Sequence, residues 1–239
     1  MSNTTIISKC GNPIPLGKKM LRRVKQITLP NVGRNDNTIA HVMSTISKDP
    51  KSFENHMIVF LKDNLKLHQK AMPRSLTDML NVASVNGFGC FLKPREGISM
   101  YHDTETLQKF NLTLYRPEKT SNDNSNFKSP YSNMGEWLQT TLGGGLRLPS
   151  PFTPVCYGGT FAVQASRIAA IPSTIFDQIE SSLSRSDNIE EGHFAERMWA
   201  GLLSIPPTEG ETTIMRKRHK RINFELSKDG GGQLGALMI

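Results

Sequence analysis

The residues best suited to chemistry lie in one short segment, Asp187–Trp199. It contains three glutamates, a histidine and an arginine: Glu190, Glu191, His193, Glu196 and Arg197. In a helix, the three-residue spacing of Glu190, His193 and Glu196 spreads them over one side, within about 120°. Groups this close shift one another's pKa values, as general acid/base catalysis requires. Glu-x-x-His also binds metals in helical bundles, and a solvated charged face has the same pattern.

The helix that carries these residues has a recognisable start. Asp187 with Glu190, or Asn188 with Glu191, fits the spacing of a capping box, so the first residue is ambiguous by one position. The sequence predicts a helix that ends near Leu203, before a pair of prolines.

The segment Cys156–Val163 predicts a buried strand that is entered through a pair of glycines. Gly158 and Gly159 are followed by Thr160 and Phe161. Glycine accepts a positive φ and lets another group approach the backbone closely, so this pair is a candidate floor for a ligand. A β-bulge or a tight bend without a ligand explains the same pattern.

Two earlier segments carry further candidates. Arg34 follows Gly33 in the turn Leu29–Arg34 and precedes a predicted helix, which combines free backbone N–H groups with a guanidinium. An ordinary turn with an exposed arginine is the alternative. Further along, the apolar run His56–Leu61 predicts a strand covered on both faces. Asp63, Asn64 and His68 follow it, where ligands of open α/β sheets bind.

The order of elements predicts one α/β domain with a mainly parallel central sheet over residues 1–205. Predicted strands alternate with predicted helices over most of that range. Residues 117–135 are rich in Asn, Ser, Lys and Pro and are predicted to form a flexible loop. Residues 206–239 are predicted to be a basic, glycine-rich tail.

The net charge of +8 is concentrated in the tail. Without the five basic residues of the run at 216–221, the formal charge falls to +3. That run is suited to an anionic surface or a nuclear address, and a solvated tail is the plainer interpretation. Aromatic residues do not interleave with it, so nucleic-acid binding is not expected.

Cysteines and apolar runs say little about the compartment. Cys10, Cys90 and Cys156 are widely separated and odd in number, so buried free thiols are expected rather than a disulfide or zinc site. No apolar run approaches the roughly 20 residues of a membrane span, and the first residues lack the pattern of a signal peptide. A cytoplasmic protein is the default expectation.

Taken together, these segments resemble a family of unknown function, known mostly from fungi and algae, that is similar to GT-A-type glycosyltransferases. The resemblance covers residues 4–204 and rests on four pieces in order: Leu29-Pro30-Asn31-Val32-Gly33-Arg34; Val59-Phe60-Leu61 with Asn64 and His68; Gly158-Gly159-Thr160-Phe161-Ala162-Val163; and Glu191-Gly192-His193-Phe194 with Glu196-Arg197-x-Trp199.

The resemblance implies a nucleotide-diphospho-sugar-transferase-like fold and transfer of a sugar from a nucleotide donor to a hydroxyl acceptor. Glu191 or Glu196 is implied as the general base, and His193 as its orienting partner or a metal ligand. Substrate contacts are implied for Asn31, Gly33, Arg34, Asp63, Asn64, His68, Gly158, Gly159, Thr160 and Arg197.

The sequence departs from the family pattern in two ways. A further opening strand, which commonly carries nucleotide contacts, is expected before Thr4–Ile7, and the sequence starts after it. An Asp-x-Asp pair is missing, because Asp63 is followed by Asn64. Dependence on a divalent metal such as Mn²⁺ is therefore left open. A non-catalytic binding module that has lost the donor site is the alternative function.

Overall fold

The computed structural model describes residues 4–9, 24–61, 72–73, 75–93, 101–112, 127–144 and 146–228. The strands are β1 (Thr4–Ser8), β2 (Val24–Thr28), β3 (Met57–Phe60), β4 (Met72–Pro73), β5 (Phe88–Cys90), β6 (Leu92–Lys93), β7 (Tyr101–Asp103), β8 (Phe152–Pro154) and β9 (Phe161–Gln164). The helices are α1 (Arg34–Lys48), α2 (Leu76–Asn86), α3 (Thr104–Gln108), α4 (Met134–Leu142), α5 (Ala165–Ala169), α6 (Ser173–Ser182), α7 (Glu190–Leu203) and α8 (Glu209–Lys228), with a short 3-10 helix at Pro50–Phe53.

The prediction of a mixed α/β fold is confirmed, but the prediction of a mainly parallel sheet is wrong for the described residues. Strands β1 and β2 pair in parallel. The three-stranded sheet has the order β3–β9–β5, and both of its strand pairs are antiparallel. Strands β4–β6 and β7–β8 form antiparallel pairs as well. Strands of two to five residues carry too little pattern to reveal their direction.

Helix α7 lies at the centre of the fold. Most of its residues are buried, including Phe194, Met198 and Trp199. Trp199 donates from Nε1 to Oδ1 of buried Asp36 at 2.8 Å, which ties α7 to the first turn of α1. On the opposite side α7 approaches β8 so closely that a Cβ at Gly201 would lie 2.6 Å from Cγ2 of Thr153.

Helical periodicity predicted the helices of the core well. Apolar residues at helical spacing predict one helix that is capped by Asp36 or Asn37 and ends at Lys48, and another from Pro172 to Ser184. These correspond to α1, which begins earlier at Arg34, and to α6. Both pack into the central cluster of buried side chains through Ile39, Met43 and Phe176. Amphipathic spacing specifies such helices because one apolar face must be buried.

Four predicted segments differ from the structure. The run His56–Leu61 contains β3, but Val59 is 36% exposed, so this strand is not covered on both faces. The segment Cys156–Val163 becomes strand only from Phe161. Residues 206–239 are not simply a tail, because Glu209–Lys228 is helical. The described part of the predicted loop 117–135 ends at Asn133, two residues earlier than predicted, because α4 begins at Met134.

The expectation of free thiols is wrong for two of the three cysteines. Cys90 and Cys156 form a disulfide across a sequence separation of 66 residues, and both are buried. The antiparallel pairing of β5 with β9 brings these segments together, and Phe91 N–H donates to Thr160 O at 3.1 Å beside the bond. Sequence spacing alone does not encode such a meeting. Cys10 lies outside the described residues.

We expect the double variant Cys90→Ala/Cys156→Ala to lose roughly 4 kcal/mol of unfolding free energy, because the chain-entropy model assigns about that much to a loop of this length. Chemical denaturation measures the loss. The control is a reductant, which should destabilise the wild type by a similar amount and leave the double variant unchanged, because the variant has no such disulfide to lose. Peptide mapping without reductant that found Cys90 and Cys156 as free thiols in the folded protein would contradict the assignment.

Candidate functional site

The start of α7 is held by neighbouring loops rather than by a cap. The residue before the helix is Ile189, and no side chain caps the first turn, so neither predicted capping box forms. Buried Glu190 instead accepts hydrogen bonds from Leu112 N–H at 2.7 Å and Ser129 N–H at 3.0 Å. Both oxygens of this carboxylate therefore accept hydrogen bonds that connect two other chain segments to α7.

Glu191 forms a buried ion pair. Its side chain is 1% exposed, and its oxygens accept from Nη2 of Arg185 at 2.9 and 3.1 Å. Arg185 Nη2 also donates to Lys128 O at 3.1 Å. A carboxylate engaged by a fork of donors in this way is stabilised in place. Glu191, one of the two predicted bases, is therefore held in an ion pair within the fold.

Glu196, the other predicted base, meets the paired-glycine turn. Its Oε1 accepts from Gly158 N–H at 2.5 Å, and its Oε2 lies 3.9 Å from Nη1 of Arg197. Gly158 and Gly159 have φ values of 89° and 61°, so the predicted use of positive φ is confirmed at both. The Glu196 side chain is 19% exposed, in contrast to that of Glu191.

His193 lies among charges from three parts of the chain. Burial, together with the positive charges of Arg34 and Arg197, lowers its pKa to about 4 against the opposing charges of Glu196 and Glu190. The imidazole is therefore neutral near pH 7. The charge of Arg34 acts on His193 although the two residues are 159 positions apart in sequence, because backbone hydrogen bonds join the Arg34 turn to the loop before α7.

The Arg34 turn is fixed against the loop before α7. Gly33 N–H donates to Ser186 O at 2.7 Å, and Arg34 N–H donates to Asp187 O at 3.1 Å. Gly33 and Arg34 both have positive φ, of 59° and 50°. For a residue other than glycine this conformation is uncommon. The Arg34 side chain is exposed at the edge of the site.

Lys9 is a neighbour of this turn that the sequence analysis missed. Its Nζ donates to the carbonyl oxygens of Val32 and Arg34. Burial lowers the pKa of Lys9, while the charges of Asp187 and Asp36 oppose that effect. Its position directly after β1 was an available signal, because ligands of open α/β sheets bind where parallel strands end.

An aromatic and cationic group adjoins Glu196. The guanidinium carbon of Arg197 lies 3.9 Å from the ring centre of Phe110 and 5.2 Å from that of Tyr157. Its Nη1 donates to His193 O at 2.9 Å. The hydroxyl of Tyr157 lies 3.3 Å from Nε2 of His102, whose pKa is lowered to about 4 by burial and by the charge of Arg197. Burial also raises the pKa of Tyr157.

The remaining predicted residues divide into two groups. Thr160 is buried beside the turn, and its hydroxyl has no hydrogen-bond partner among the described residues. Asn31 is exposed on the Arg34 turn. Asp63, Asn64 and His68 lie outside the described residues. The structure therefore brings together Gly33, Arg34, Gly158, Gly159, Thr160, His193, Glu196 and Arg197, with Asn31 at the margin.

A large open cavity occurs elsewhere in the fold. Its volume is about 840 Å³, and it is lined by the 3-10 helix, by His56 and by the start of α5. Of the predicted site residues that the structure describes, none lines it. Among the residues whose placement is described, no group of three or more His, Cys, Asp or Glu side chains is arranged to hold a metal ion.

Comparison with known proteins yields no relative. No family model matches the chain, and no curated protein or solved structure is significantly similar to it.

We expect Gly33→Ala to destabilise the protein by about 3 kcal/mol or more, through left-handed strain and overpacking. A Cβ at Gly33 would lie 2.3 Å from Leu183 O. Thermal or chemical unfolding measures the change. Gly143→Ala is the matched control, because Gly143 has nearly the same φ, 58°, with no atom near its Cβ position. Equal losses in the two variants would contradict the close approach of the Arg34 turn to the loop before α7.

Proposed function

We propose that the chain is a glycosyltransferase-like enzyme that transfers a sugar from a nucleotide-sugar donor to a hydroxyl acceptor. The observation that carries the proposal is the meeting of a cationic turn and a partly exposed carboxylate around one neutral histidine. The turn contributes Arg34, and α7 contributes His193 and Glu196. Sugar transfer needs both kinds of group, a cation for the leaving diphosphate and a base for the acceptor.

Glu196 is the best candidate for the general base. Gly158 N–H occupies its Oε1, which fixes the carboxylate and leaves Oε2 beside Arg197. In the proposed reaction the carboxylate takes the proton of the acceptor hydroxyl, whose oxygen attacks the anomeric carbon. The bond between that carbon and the diphosphate breaks, and the nucleoside diphosphate leaves with the electron pair.

The donor side of the proposal rests on the Arg34 turn. It follows β2 at the carboxyl end of the parallel β1–β2 pair, where ligands of α/β sheets commonly bind. Asn31 and Gly33 are part of this turn. The exposed guanidinium of Arg34 can donate paired hydrogen bonds to phosphate oxygens. This parallel pair supports a nucleotide-diphospho-sugar-transferase-like fold. The antiparallel sheet around β9 does not support it.

Neutral His193 has a supporting part in this proposal. With a pKa of about 4 it carries no charge near pH 7, so it does not repel the cations around it. A neutral imidazole can orient the Glu196 carboxylate or an acceptor hydroxyl by a hydrogen bond. Gly159 and Thr160 lie on the acceptor side, next to the glycine that holds Glu196.

A non-catalytic binding module of the same fold is the second candidate. It is favoured because two of the three glutamates in α7 already bind other parts of the fold. Glu190 binds loop N–H groups, and Glu191 binds Arg185. These two contacts stabilise the fold, so the presence of both glutamates is explained without a catalytic role.

We expect Glu196→Gln to lower kcat by about 10²- to 10⁴-fold, the usual contribution of a general base. Its melting temperature should stay close to that of the wild type, because the amide oxygen still accepts from Gly158 N–H. Nucleotide release from a panel of nucleotide sugars, with and without Mn²⁺, measures turnover once thermal shift has identified a donor.

Glu191→Gln serves as the matched control. Loss of the ion pair with Arg185 should cost about 1–3 kcal/mol of stability while the folded fraction keeps its turnover. Full turnover in Glu196→Gln would exclude Glu196 as the base. If no nucleotide sugar stabilised or reacted with the protein, the binding module would be the better description.

A further inference from the structure

Helix α8 is an exposed basic element that the proposed function does not use. It runs over Glu209–Lys228, beyond the buried end of α7 and the prolines that follow it. Arg216, Lys217 and Arg218 are exposed. The six residues from 216 to 221 include five cations and no acid. Within the described part of the chain, no helix is both long and apolar enough to cross a membrane.

One face of α8 combines cations with an exposed apolar side chain. The side chain of Ile214 is 67% exposed. Lys217 and Arg218 follow Ile214 at intervals of three and four residues, so on a helix both are its neighbours on the same face. Both of these cations are exposed as well.

We propose that this face of α8 binds the surface of a membrane that contains anionic lipids. Such a surface offers both chemistries that the face presents: phosphate and carboxylate groups for the cations, and an apolar layer just beneath for Ile214. A nucleic acid offers the negative charge, but its backbone gives an exposed isoleucine nothing to enter. A second copy of α8 would oppose like charges, because the basic run would face another basic run.

The charge of the basic run is sufficient for a measurable effect. Each lysine or arginine near an anionic leaflet contributes about 1 kcal/mol of binding, and salt weakens this contribution. Electrostatic attraction together with one inserted apolar side chain gives reversible surface binding rather than a permanent anchor.

The test is sedimentation of the whole chain with vesicles of phosphatidylcholine alone or with about 30% phosphatidylserine. We expect binding only to the vesicles with phosphatidylserine, and weaker binding at higher salt. Lys217→Gln/Arg218→Gln should weaken binding about thirtyfold, from the loss of two cations. The matched control is Lys25→Gln/Lys51→Gln, which removes the same charge from two other exposed lysines and should leave binding unchanged.

The apolar contribution distinguishes a membrane from any other polyanion. Ile214→Gln should weaken vesicle binding severalfold without altering thermal stability, because the side chain is exposed in the folded protein. Equal binding of Ile214→Gln and wild type, equal binding to both vesicle types, or tighter binding to duplex DNA than to the anionic vesicles would overturn the proposal. Binding lost equally in the Lys25/Lys51 control would overturn it as well.

Discussion

The burial of α7 is the constraint on which the rest of the structure depends. A helix enclosed on nearly all sides cannot leave its polar groups to water, and an unpaired buried charge is expensive. Its acids therefore recruit partners from distant segments: backbone N–H groups for Glu190, Arg185 for Glu191 and Gly158 for Glu196. Trp199 does the same at the far side with Asp36. The contacts that satisfy the polar groups of this one buried helix therefore bring the segments of the candidate site together.

Of these acids, Glu196 alone combines a fixed position with partial exposure. Glu190 and Glu191 are 5% and 1% exposed, whereas the Glu196 side chain is 19% exposed. The turn that holds it is itself fixed, because the disulfide joins Cys156 to β5 two residues before Gly158. Rigid support of this kind is what a catalytic or binding group requires, since a small displacement is costly to function.

The sequence was informative where local physics decides the outcome. Periodicity located α1, α6 and α7, and the glycine pair at 158–159 does adopt positive φ. Contacts between segments that are distant in sequence could not be predicted from it. The Cys90–Cys156 bond has no local signature. The position of Lys9 after β1 was a signal for a ligand site, but it did not indicate the contacts of Lys9 with the Arg34 turn. Short strands likewise do not encode whether they pair in parallel, and the ion pair of Glu191 depends on a loop arginine outside the helix.

The central claim, that the Arg34 turn and α7 meet in space, is tested most directly by the pKa of His193. NMR titration of the histidine ring should give a value near 4 in the wild type, because burial and the charges of Arg34 and Arg197 disfavour the imidazolium. Removal of one of these charges in Arg34→Gln should raise the pKa of His193, while Arg147→Gln, a change at another exposed arginine, should leave it unchanged. An identical pKa in wild type and Arg34→Gln would contradict the convergence of the two segments.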